Sequence, residues 1–308
     1  MRRRALALVA AVALTLAGCS EAGNEATSGG PAAASIDDIE IGTSDALAPS
    51  ITLPEGETFT EPQGTVIWDG EGAALVDNQP LLLDVYGVSL ADGSELINTF
   101  DGLPRSFVLA REVLGDDLYD LLIDSNVGTR VLAVAPATED NGELTPQTPT
   151  KGQPSVPNVA MVVDVLSDRA VGAEMPQRDD LPTVAVNEDT GEPTVTIPEK
   201  LDAPTTVQSE TTILGDGPQI SEGAYLLLNY KAVRWKNGTE FASSWPTDTA
   251  PFSTQIGTGQ LVPALDDALL DQTVGSQVLV VAPPAYGYPD EGTLVFVVDI
   301  LDIWTPVE

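Results

Sequence analysis

The 308-residue chain contains no histidine. Without imidazole there is no Ser-His-Asp or Cys-His nucleophile, no zincin helix and no ordinary catalytic zinc site. A single cysteine, Cys19, excludes a disulfide framework. Positive charge is also scarce, with 13 Lys and Arg against 47 Asp and Glu and a formal charge of −34. A surface of that sign repels phosphate, so nucleic acid is not expected as a partner. The acids read instead as a solvated, solubilising surface. None of their clusters has the alternating carboxylates, central Gly and terminal Glu of a calcium loop. Nothing in the pattern calls for a cofactor or a metal.

Long apolar runs are lacking as well. The stretch from Ala5 to Ala17, broken only by Thr15, is shorter than the roughly 20 residues a spanning helix needs. It follows Arg2, Arg3 and Arg4 and ends in Leu16-Ala17-Gly18-Cys19, the layout of an export signal. The last four residues resemble the bacterial lipobox. That resemblance implies removal of residues 1–18, a diacylglycerol-bearing Cys19 as the new N-terminus, and anchoring at the outer face of the bacterial cytoplasmic membrane, where two acyl chains hold and one holds weakly. Residues 19–48, rich in Ala, Gly, Ser and acids without apolar periodicity, read as a flexible tether.

What is present is a repeat. Pro49 to Glu55 recurs as Pro193 to Glu199, and Gly70-Glu71-Gly72 as Gly215-Asp216-Gly217. Leu82 to Tyr86 matches Leu226 to Tyr230, and Asp92-Gly93-Ser94-Glu95-Leu96 matches Asn237-Gly238-Thr239-Glu240-Phe241. Val127 to Leu132 matches Val274 to Leu279, and Val162 to Leu166 matches Val297 to Leu301. Six matches in one order imply a duplicated domain, one copy over 49–168 and one over 192–308, joined by an acidic, solvated linker over 169–191.

Within the second copy, Ala224 to Trp235 is strand-like and runs into Asn237-Gly238, the dipeptide of a tight hairpin. Gln277 to Val281 and Thr293 to Asp302 are dense in Val, Leu and Ile and also read as strands. Leu261, Val262, Leu265, Ala268 and Leu269 fall at helical spacing, with Pro263 suited to a first turn. Many strands and one short helix give an α+β fold, an antiparallel sheet packed over that helix, in each copy.

Gly215-Asp216-Gly217-Pro218, the strand ending in Tyr230, Asn237 to Ser244, Pro251-Phe252, Ile256-Gly257-Thr258-Gly259, Val274-Gly275-Ser276, Pro283 to Gly287 and Thr293 to Phe296 resemble the FKBP-type peptidyl-prolyl isomerases in the family's order. The resemblance implies two FKBP-like domains, the first degenerate. It also implies a pocket in the second, lined by Tyr230, Phe241, Phe252, Leu261, Val262, Leu265, Tyr286 and Phe296, with the Val262 backbone N–H and the Tyr286 hydroxyl bonding to a bound carbonyl. Ala242 stands where the family commonly has an acid, Leu265 where many members have Trp, and the segment after Tyr286-Gly287 is short. Weak activity is therefore expected.

In the first copy Leu96, Gly115 and Met161 replace Phe241, Val262 and Phe296, while Phe107 is matched to Phe252. That copy is expected to be a spacer or binding module. The function so implied is isomerisation of proline-containing polypeptide clients, assisting the folding of exported proteins at the cell envelope. The alternative is a non-catalytic chaperone or binding lipoprotein for unfolded or Pro-rich segments.

Overall fold

The computed structural model of the chain describes residues 32–42, 48–55, 57–136, 159–188, 190–245 and 251–306. The signal-like segment over 1–18 and Cys19 lie outside the described residues. Four short strands come first, β1 (Ala32–Ala33), β2 (Glu40–Gly42), β3 (Ser50–Thr52) and β4 (Glu57–Thr58). A first sheet follows from β5 (Gln63–Trp68), β6 (Pro80–Ser89), β7 (Glu95–Asn98) and β8 (Arg105–Val108). After helices α1 (Arg111–Leu114) and α2 (Asp116–Leu122) it is completed by β9 (Arg130–Ala135) and β10 (Val159–Leu166).

Strands β11 (Ala173–Glu174), β12 (Thr183–Val186) and β13 (Pro193–Thr196) lead into the second sheet. That sheet contains β14 (Gln208–Leu214), β15 (Tyr225–Arg234), β16 (Glu240–Ser243) and β17 (Phe252–Gln255). Helix α3 (Pro263–Leu269) then precedes β18 (Gln277–Ala282) and β19 (Leu294–Trp304).

The two sheets have the same strand order. The first runs β5-β9-β10-β6-β7 with β8 beside β6, and the second runs β14-β18-β19-β15-β16 with β17 beside β15 and β11 added at the β14 edge. All these pairs are antiparallel. The central strands are apolar on both faces, the signature of a sheet covered on both sides. On the inner face of the second sheet, Val278, Val280, Phe296, Val298 and Ile300 pack with Leu265, Ala268 and Leu269 of α3. On its outer face, Leu279, Val281, Val295 and Val297 pack with Leu181, Val184, Val195 and Ile197 around the β12–β13 hairpin. The outer face of the first sheet is covered alike by Ile39, Ile41, Ile51 and Leu53 around the β2–β3 pair.

These covers correct two readings from sequence. The segment over 169–191 is not a solvated linker, since it supplies β11 and β12 and buries Leu181 and Val184 against the sheet. Part of the expected tether is also packed, with Ala34 and Ile39 buried on the first sheet. The covering strand needs only alternate apolar side chains, so neither Glu40 between Ile39 and Ile41 nor the exposed acids Asp179, Asp180 and Glu188 flanking β12 prevent it.

A third correction concerns register. Gly87 pairs with Met161 as Ala232 pairs with Phe296, and Asp84 with Asp164 as Asn229 with Asp299. Val85 therefore occupies the position of Tyr230, while Tyr86 packs on the outer face. A one-residue slip along a strand exchanges its faces. Likewise Arg105 opposes Leu83 as Phe252 opposes Leu228, so Phe107 is not the counterpart of Phe252. A shared hydroxyl verifies this register. Thr99 Oγ1 accepts from Val85 N at 2.7 Å and donates to Asp84 Oδ1 at 2.8 Å. Ser244 Oγ accepts from Tyr230 N at 2.9 Å and donates to Asn229 Oδ1 at 2.8 Å. The first sheet also carries two short helices where one was expected, α1 and α2 being separated by Gly115 at φ 77°.

The sheets meet through Leu82, Leu227 and Leu301, flanked by Leu103 and Leu166. Around them Asn229 Nδ2 donates to Asp168 O and Ala170 N donates to Asp299 Oδ2, each at 2.8 Å. Among the described residues no helix is long and apolar enough to cross a membrane.

Candidate active site

The strand period of two turns Leu228 and Tyr230 of β15, and Phe296 and Val298 of β19, to the inner face. Above them lies the start of α3. Val262 is its N-cap in extended geometry (φ −67°, ψ 148°), and Pro263 takes the first helical position, where a missing N–H costs no hydrogen bond. Val262 offers no capping side chain, but Asp266 Oδ1 accepts from Gly257 N at 3.0 Å and ties the first turn to the loop before it. Among the described residues the Val262 N–H donates to no acceptor.

These elements enclose a cavity of about 100 Å³ lined by Leu228, Tyr230, Phe241, Ala242, Phe252, Gln260, Leu261, Val262, Leu265, Tyr288, Phe296 and Val298. Phe296, only 4% exposed, lies deep, while Phe252 and Tyr288, 40% and 42% exposed, stand at the mouth. Tyr230 meets Phe252 nearly edge to face, centroids 5.8 Å apart, and Phe241 leans on Tyr288 at 5.1 Å. Such pairs fix ring orientation as well as burying area.

Seven of the eight residues expected from sequence, Tyr230, Phe241, Phe252, Leu261, Val262, Leu265 and Phe296, share this cavity. Tyr286 does not line it. Tyr286 ends the 3-10 turn Pro284–Tyr286, is 41% exposed and leaves the cavity to Tyr288. Leu228, Ala242, Gln260 and Val298 complete the wall beside Tyr288. For Leu228 and Val298 the alternation from Tyr230 and Phe296 was the available signal.

No carboxylate, amine or imidazole lines the cavity. Asp299, raised to about 6 chiefly by burial, belongs to the alternate residues of β19 that face away. There it accepts from Gln277 Nε2 at 2.8 Å. Among the described residues no cluster of acids, Cys or His could hold a metal ion. The cavity can therefore desolvate a small apolar ring and bond to a carbonyl at its edge, but it has no group to move a proton near neutrality. A cavity of roughly 150 Å³ accepts benzene, so the space here suits a five-membered ring.

In the first sheet the corresponding positions hold Val85, Leu96, Arg105, Leu114, Gly115, Leu118 and Met161. Of these, Val85, Leu114, Leu118 and Met161 belong to one packed core. No ring survives at any of the seven.

Residues 217–301 match the family model described as FKBP-type peptidyl-prolyl cis-trans isomerase. The FK506-binding protein of Streptomyces anulatus is 30% identical over 99 residues, 29% of this chain and 79% of that protein. FK506-binding protein 2 of Emericella nidulans is 31% identical over 91 residues, 27% of this chain and 67% of that protein. The crystal structure of FkpA from Escherichia coli superposes with a TM-score of 0.30 at 22% identity, covering 35% of this chain and 53% of that one. The family match encloses every residue that lines the cavity, and with these relatives it establishes that the chain belongs to the FKBP-type peptidyl-prolyl cis-trans isomerases.

Proposed function

We propose that the cavity of the second sheet is the proline site and that the chain isomerises X-Pro bonds of polypeptide clients there. The observation that carries this reading is the apolar cavity closed by Phe296 and rimmed by Tyr230, Phe252 and Tyr288. Rotation of the X-Pro amide is opposed by ~18–20 kcal/mol of barrier. The planar amide is more dipolar than the twisted one, so removing it from water disfavours the ground state relative to the transition state. The Tyr230 and Tyr288 hydroxyls, the Gln260 amide and the Val262 N–H are the donors that the lining offers, and of these the Val262 N–H and the Tyr288 hydroxyl take the bonding role that sequence assigned to Val262 and Tyr286. Ala242 and Leu265 leave its edge without a carboxylate and its wall without an indole, which favours weak turnover.

The equal strand orders and the five sequence matches that keep their register support a tandem of two FKBP-like domains, with catalysis confined to the second. The lipobox-like Leu16 to Cys19 supports an envelope protein anchored through lipidated Cys19, acting on exported chains. Turnover of a proline tetrapeptide by the full chain tests the catalytic reading. Acceleration of cis-to-trans exchange is expected. Binding of an unfolded or Pro-rich segment without acceleration would replace catalysis with a chaperone role. Cys19→Ala should leave an unprocessed precursor, and normal cleavage of that variant would remove the anchor.

A further inference from the structure

Arg234, the last residue of β15, joins three elements at the mouth of the cavity. Its Nη2 and Nε donate to Glu291 Oε2 at 2.7 and 3.1 Å, and its Nη1 donates to Glu240 O at 2.9 Å. Its guanidinium carbon lies 5.1 Å from the centroid of Phe241. Phe241 leans on Tyr288, and Glu291 N donates to Tyr288 O at 3.1 Å. One planar group thus holds the flap between Tyr288 and Gly292 by its acid and braces, through Phe241, the ring that the flap carries. A fork that bonds along its edge and stacks on its face is a property of Arg that Lys does not share.

We propose that Arg234 is a positioning residue for the isomerase site, clamping the flap and Phe241 in one arrangement so that Tyr288 stays over the cavity. This rests on the cavity being the proline site. The clamp is partly exposed, with Arg234 and Glu291 side chains 32% and 37% accessible. Salt screens it, and its share in global stability is small. Its effect falls on where Tyr288 sits, and a small displacement of a positioned group lowers rate more than it lowers stability.

The test uses the full chain and follows turnover of a proline tetrapeptide, the thermal midpoint and backbone NMR relaxation at residues 288–292. Arg234→Met is expected to lower kcat/KM roughly three- to tenfold, mainly in kcat, because it removes both the fork and the stack. Its thermal midpoint should move by only about 2 °C. Arg234→Lys should recover part of the rate. Raising salt from about 20 to about 500 mM should slow the wild type toward Glu291→Gln and leave that variant unchanged. The double variant should be no slower than Arg234→Met alone, as expected for two residues acting through one contact. Flap amides should become more mobile in Arg234→Met whether or not the protein turns over substrate. An inactive wild type with a loosened flap in the variant would strike the proline-site reading alone. A flap equally ordered in both proteins, or rate losses that add, would overturn the clamp.

Discussion

Asp84 of β6 adds like-charge repulsion to the burial that already raises Asp302 of β19, and together they push Asp302 up to about 7. Asp84 is raised to about 6 by burial, with Asp164 adding to the rise and the Thr99 hydroxyl and Arg130 opposing it. Asp299 is raised to about 6 by burial, against Ala170 N, Gln277 and Arg169. Such carboxyls titrate near 4 in an unfolded chain. Between about pH 4 and 7 the folded protein therefore holds protons that the unfolded chain has released, so stability falls as pH rises. Through these groups the thermal midpoint should decline from about pH 4 to about pH 7, each unit of raised pKa being worth about 1.4 kcal/mol at most. Asp302→Asn should flatten the decline. Calorimetry at fixed ionic strength measures both, and a midpoint climbing from about pH 4 to about pH 7 would contradict the assignment.

Two tyrosines two residues apart should behave differently. Tyr288→Phe removes a hydroxyl at the cavity, a hydrogen bond of ~0.5–1.5 kcal/mol, and should lower kcat/KM roughly two- to tenfold. Tyr286→Phe should leave it unchanged. The opposite order of effects would return the role to Tyr286. Since the lining has no carboxylate, amine or imidazole, the wild-type rate should be flat from about pH 6 to 8.

Placing the first sheet's residues in the second locates the catalysis. In the full chain, Phe252→Arg with Phe296→Met should reduce turnover more than roughly tenfold while both sheets stay folded, because it removes one ring at the mouth and one deep in the cavity. Unchanged turnover in a folded double variant, judged by circular dichroism, would assign activity to the first sheet.

Gly215 has no room for a side chain. A Cβ there would lie 2.2 Å from Val274 O, and one at Gly70 would lie 2.2 Å from Val127 O, in both cases against backbone. Gly215→Ala and Gly70→Ala should each destabilise by ~2–4 kcal/mol in denaturant unfolding. A loss below about 0.5 kcal/mol would mean that the backbone yields there.

The duplicated architecture and helix α3 are legible in sequence because Gly-x-Gly pairs, the Asn-Gly turn and helical spacing around Pro263 are local signals. Register was harder to see. Leu81, Leu82 and Leu83 are alike, so an apolar run gives no marker of parity, and Tyr86 slid onto Tyr230 by residue identity. Thr99 and Ser244, each a hydroxyl bonded to the same strand position, carry the correct alignment, but their partners appear only once the strands pair. Tyr286 and Tyr288 were indistinguishable because both sit in one Tyr-Gly-Tyr run at the end of a 3-10 turn. The cover formed by Leu181 and Val184 was hidden by the acids around it, which face water while their neighbours are buried.

In each sheet the strand that comes last in the chain is central in space, β10 between β9 and β6, and β19 between β18 and β15. Until β19 emerges from the ribosome, β15 and β18 have no common partner and the edges that will face it remain unpaired. Each sheet must therefore close in one late step by long-range pairing, a slow kind of folding.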